Sequence, residues 1–87
     1  MVTIKKYELK TGENRVAAPS LSNVLAGGAV GDGVWVWMEV DTDDIEMVER
    51  AFLVVKDGGE IDGKMTTNFI GIAVMANAEA WLVFEIL

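Results

Sequence analysis

Apolar residues gather in seven short stretches spaced about ten residues apart, and none sustains the 3.6-residue period of an amphipathic helix. The pattern is that of an all-β domain. The predicted strands cover residues 2–9, 15–18, 23–30, 34–40, 50–56, 68–76 and 80–87. Thr11-Gly12-Glu13-Asn14 and Ala76-Asn77-Ala78-Glu79 read as hairpin loops. Asp41 to Arg50 reads as a loop with at most one helical turn, and Asp57 to Thr67 as the longest irregular stretch. With no repeat, linker or low-complexity segment, residues 1–87 are expected to form a single domain, a small antiparallel β-sandwich or barrel of about seven short strands.

The stretch GGAVGDGVWVWMEV, residues 27–40, poses the sharpest choice: phosphate loop or turn. A dinucleotide fingerprint needs its glycines between a strand and a helix, whose N-terminal amides hold the pyrophosphate. Here Gly27, Gly28, Gly31 and Gly33 precede Val-Trp-Val-Trp, a strand. The hairpin reading therefore prevails. A two-residue loop at Asp32-Gly33 sets Trp37 opposite Gly28, and a three-residue loop over 31–33 sets it opposite Gly27.

Period-two alternation puts Val34, Val36, Met38 and Val40 on one face, the natural core, and Trp35, Trp37 and Glu39 on the other. The tryptophan face is thus a second apolar surface, with Ala26, Gly27, Gly28 and Ala29 as its expected floor. The rings serve either as cover over the glycines, as anchors of a subunit or protein contact, or as a platform on which nucleobases stack.

Composition limits these options. A domain of 87 residues buries only about 60–65 % of its unfolded surface, and without Cys or His it has neither disulfides nor ordinary zinc ligands. Yet 52 % of its residues are hydrophobic. Self-association, as a dimer or tetramer, is the expected remedy. A net charge of −7 argues against DNA or RNA as a partner, and no apolar run is long enough to span a membrane. A secretory leader is not evident either, so the expected location is the cytoplasm.

Catalytic chemistry is poorly represented. The carboxylates are scattered, Ser20 and Ser22 have no evident base, and no cofactor is implied. The Asp41–Asp44 turn lacks the Gly and Glu of a calcium loop. A non-enzymatic role is expected. Candidate ligand contacts are Trp35 and Trp37 for stacking, with Tyr7 beside them, Arg50 or Lys6 for a phosphate, and Lys64, Thr66, Thr67 and Asn68 as hydrogen-bonding groups in one polar loop. Against these stand plainer readings: a surface ion pair for Arg50, a solvated loop for Lys64–Asn68, and edge protection for one of Lys5 and Lys6, which point to opposite faces.

Lys6-Tyr7-Glu8-Leu9, Trp37 followed by Val40-Asp41, Arg50-Ala51-Phe52, Phe69-Ile70-Gly71 and Trp81 to Glu85 occur in an order that resembles, over nearly the full chain, a family of short phage-encoded proteins of unknown function. Members carry a Thr-Gly-His-like turn followed by Pro-Ile, where this chain has Asp57-Gly58-Gly59-Glu60-Ile61. They often carry a His after the last tryptophan, where this chain has Leu82. In size and β-rich pattern the chain also resembles the oligomeric anti-CBASS sponges, which sequester cyclic dinucleotide defence signals in the infected host's cytoplasm. That resemblance implies a homo-oligomer that binds a cyclic oligonucleotide without cleaving it. The competing expectation is a protein-interaction module that docks on a host or virion protein through its tryptophan face.

Overall fold

A computed structural model describes residues 1–87, which fold into seven strands and no helix. They are β1 (Val2–Leu9), β2 (Gly12–Pro19), β3 (Ser22–Val30), β4 (Gly33–Asp41), β5 (Met47–Lys56), β6 (Thr67–Val74) and β7 (Ala80–Ile86). All pairings are antiparallel. A three-stranded sheet runs β1-β4-β3 and a four-stranded sheet runs β2-β5-β7-β6. No ladder joins the two sheets, so the architecture is a sandwich and not a closed barrel.

The core lies between the sheets and draws on both equally. Leu9, Val34, Val36, Met38 and Val40 come from the three-stranded sheet; Ala18, Phe52, Val54, Ala73 and Val83 come from the four-stranded one. β4 alone supplies four of these because it is the central strand of its sheet and keeps strict alternation. β5 and β7 instead read as nearly continuous apolar runs, AFLVV and AWLVF, since their outward residues are covered as well. The cover is the segment 57–66. It leaves β5 and must return to the start of β6, two strands away, and it does so over the outer face of β7. Gly59 lies against Val55 there, where an added Cβ would come within 2.7 Å of Val55 Cγ1.

Three sequence expectations are corrected. The Thr11–Asn14 stretch is not a hairpin loop, because β1 and β2 belong to different sheets. The chain crosses at Lys10-Thr11, held by Asn14, whose Oδ1 accepts from the Lys10 N–H and whose Nδ2 donates to the Lys10 and Gly12 carbonyls. The central hairpin turns at Gly31-Asp32, with Gly31 at φ +58°, so Val30 pairs with Gly33 and Trp37 pairs with Ala26, not with Gly27 or Gly28. A glycine in the first central position suits a type II′ turn, which shifts the register by one residue from the nearer expectation. The shift also turns Gly27 and Ala29 inward, away from the tryptophans: Ala29 packs on the core, and Gly27 lies against Val83. The remaining hairpin, through Ala76–Glu79, forms as expected, closed by the Met75 N–H donating to the Glu79 carbonyl.

The sheets are not equally close along their two sides. At β3 and β6 the backbones touch, and a Cβ on Gly71 would collide with the carbonyl group of Gly27. At β1 and β2 the sheets leave an open cleft of about 470 Å³, bordered by Lys5, Tyr7, Ala17, Pro19 and Met47. The glycines therefore act where two backbones meet.

Candidate functional site

The outer face of the three-stranded sheet forms a small grid. Antiparallel register sets Lys6 beside Trp37 and Ala26, and Glu8 beside Trp35 and Gly28. The Trp37 ring lies diagonally over Gly28, 3.4 Å from where a Cβ would stand. The Trp35 ring leans over Gly33, which also has no side chain to obstruct it. Lys6 Nζ stands 4.8 Å from the centre of the Trp35 ring, within cation–π range. Both tryptophans are half-buried, and their border is charged: Lys6, Glu8 and Glu39 surround them, with Lys10 paired to Glu8 at 3.5 Å.

The other candidates are elsewhere. Tyr7 belongs to the opposite face of β1, where it packs on the core with its buried hydroxyl unpartnered and Lys5 over its ring. Arg50 is directed into the sandwich. Its Nε and Nη2 donate to Glu85 Oε2, and its Nη1 donates to the carbonyl and hydroxyl of Ser22. These bonds tie β5 to β7 and across to β3. The arrangement is the plain ion-pair reading of Arg50, although internal and not at the surface. Thr67 and Asn68 open β6 on the four-stranded sheet and Lys64 and Thr66 end the segment before it, all on the sheet that does not contain β4. The structure thus brings together Lys6, Trp35 and Trp37 and leaves Tyr7, Arg50 and the Lys64–Asn68 group apart.

Glu85 escaped sequence reasoning, yet its position announces it. It is the only charged residue of β7 and shares the inward parity of Val83, so a carboxylate only 8 % exposed needs a cation, and the interior holds Arg50. Arg15, the other arginine, forms exposed pairs with Glu13 and Glu49.

At the base of the sandwich, Asp44 accepts hydrogen bonds from the Leu21 N–H and the Ser20 hydroxyl, which hold its carboxyl below the usual carboxylate range. Asp41 is lowered by the Asp43 N–H and by the amino terminus, and the amino terminus is raised in turn, first by Asp43 and then by Asp41. These carboxylates are committed to staples within the loops. No group of three His, Cys, Asp or Glu side chains is placed to hold a metal ion.

No helix is long and apolar enough to cross a membrane. No curated protein and no solved structure matches the chain. A family model described as a domain of unknown function, DUF7352, matches residues 1–86, and the chain belongs to that family.

Proposed function

We propose that the protein is a non-catalytic binding module that docks on another protein through the tryptophan face of its three-stranded sheet. The observation that supports this reading is the pair Trp35 and Trp37, on the solvent side of the central strand inside a border of Lys6, Glu8 and Glu39. Aromatic anchors with a polar rim are the usual composition of a protein contact. Because the core residues of β4 are on its other face, the tryptophans are separable from the fold. Trp37→Ala is expected to stay folded by circular dichroism and to lose the partners that the wild-type protein retains in cross-linked pull-downs. Retention of the same partners by Trp37→Ala and Trp35→Ala would refute the reading.

A second reading, sequestration of a cyclic oligonucleotide without cleavage, draws on the Lys6–Trp35 pair: a stacking ring with a cation 4.8 Å from its centre. Within one chain Lys6 is the only cation at that grid not paired with a carboxylate, since Lys10 is held by Glu8 and Arg50 by Glu85. A thermal-shift screen separates the two readings. Ligand at 100 times its dissociation constant stabilises the folded state by about 2.7 kcal/mol, and a flat response to cyclic di- and trinucleotides removes the nucleotide reading.

A further inference from the structure

Large apolar side chains stand in water at the base of the sandwich, on turns where polar residues would serve the fold equally well. Ile45 is 93 % exposed, Leu21 69 % and Met47 58 %. They belong to one surface, because the backbone ties their segments together. The Ser20 N–H donates to the Glu46 carbonyl, the Leu21 N–H donates to Asp44 Oδ2, and Pro19 pairs with Met47. Asp44 Oδ1 also accepts from the Glu46 N–H, so the residues on both sides of Ile45 are fixed. The surface continues into the cleft of about 470 Å³ between β1 and β2, which Asp41, Asp44 and Met47 border together with Ile4, Tyr7 and Pro19.

The rim of this surface is acidic. Residues 39–49 contain Glu39, Asp41, Asp43, Asp44, Glu46 and Glu49 and no lysine or arginine. The amino terminus pairs with Asp41 and Asp43, and Arg15 pairs with Glu49, which leaves Glu39, Asp44 and Glu46 without a cation. The single lysine along the cleft is Lys5, farther up β1 and over the Tyr7 ring.

We propose that the base of the sandwich and the adjoining cleft dock a cationic amphipathic segment of a partner protein. Its apolar side chains cover Leu21, Ile45 and Met47 and reach the cleft, while its lysines or arginines meet Asp44 and Glu46. Charge decides against other occupants: nucleic acid and anionic lipid bring more negative charge to a carboxylate rim, and a second copy of this chain, itself at −7, brings the same rim. No three carboxylates are placed to hold a metal ion. The segment is held by side chains and not as an added strand, because β1 with Lys5, Lys6 and Glu8 and β2 with Glu13, Arg15 and Pro19 are guarded edges. An apolar centre supplies affinity through burial, and a rim of one sign selects the partner. None of this requires the tryptophan face.

Calorimetric titration with a synthetic amphipathic leucine–lysine peptide tests the proposal, with leucine–glutamate and serine–lysine peptides as controls. The wild type is expected to bind the leucine–lysine peptide, less tightly as salt is raised, and to bind neither control comparably. The side chains of Ile45 and Glu46 are exposed and make no hydrogen bond or ion pair within the chain, so their variants keep the fold. Ile45→Ser is expected to raise the Kd about tenfold, or about 1.4 kcal/mol, and Glu46→Gln about threefold. Glu60→Gln, which removes the same charge from an exposed residue elsewhere, and Trp37→Ala should leave the Kd unchanged. Amide resonances of residues 19–21 and 41–47 should shift first in two-dimensional NMR. The proposal is overturned by no binding at millimolar peptide, by equal binding of the leucine–glutamate peptide, or by a Kd indifferent to Ile45→Ser. Equal losses in Glu46→Gln and Glu60→Gln, or shifts centred on Trp35 and Trp37, overturn it as well.

Discussion

The two sides of the sandwich handle the same difficulty in opposite ways. On the β1/β2 side the sheets stand apart over a cleft, and the edges carry lysines, an arginine, carboxylates and a proline. On the β3/β6 side the sheets meet backbone to backbone through glycines, and the edges carry no charge at all. A side that opens to water must be made unattractive to other strands; a side built for close contact excludes the bulky guards that would do this. Close packing here and solubility there are thus alternative uses of the same strand positions.

The largest effect is expected where the backbones meet. Gly71→Ala puts a methyl into the Gly27 carbonyl, which neither strand can avoid without separating the sheets, so a loss of about 3 kcal/mol or more is expected in urea unfolding. An alanine tolerated at 71 with unchanged stability would show that the two sides are equally loose.

Next is the clamp at the lower end of the same side. Arg50→Ala leaves Glu85 in the interior without its cation and is expected to cost about 3 kcal/mol, whereas replacing both residues with apolar ones of similar volume should recover most of that. Additive losses in the double variant would mean that the two side chains do not act as a pair.

Smaller effects belong to the tryptophan face and the β1 side. Lys6→Ala is expected to lower stability by about 0.5 kcal/mol through loss of its contact with the Trp35 ring, with an accompanying change in tryptophan emission. Acid tests the Asp44 staple. Its folded pKa is depressed, so its contribution is complete above the unfolded value near about 4 and fades as pH falls through the lower folded value. Asp44→Asn should flatten the stability profile in that range, and an unchanged profile would assign acid sensitivity to other carboxylates.

The smallest effect is predicted for Tyr7→Phe. The hydroxyl is buried and makes no hydrogen bond, so removing it should leave stability within about 0.5 kcal/mol of wild type or raise it. A marked loss would give the hydroxyl a partner, and with it a more tightly organised β1 side than the cleft suggests.

Much of this molecule was legible in the sequence. The seven strands fall within a few residues of the predicted ones, and the division of β4 into a valine–methionine face and a tryptophan face holds. The candidate site was legible only in part. Trp35 and Trp37 share a face by the alternation of a single strand, whereas Lys6 joins them only because β1 pairs with β4, which no local pattern announces. Arg50 and Tyr7 do not join them, since their parity turns them inward from positions whose sheet assignment depends on the whole topology.

Alternation, turn residues and spacing are properties of short windows, and through them the sequence by itself determined that the chain is all-β, where its strands run, and which residues of β4 face the core. Tertiary structure alone decided that β1 and β2 part into different sheets, that Gly31-Asp32 sets the register, that Glu85 receives Arg50, and that Gly27 meets Gly71. Those outcomes depend on which distant strands become neighbours. A glycine or a buried carboxylate records in the sequence that something must approach closely, but only the folded chain supplies its partner.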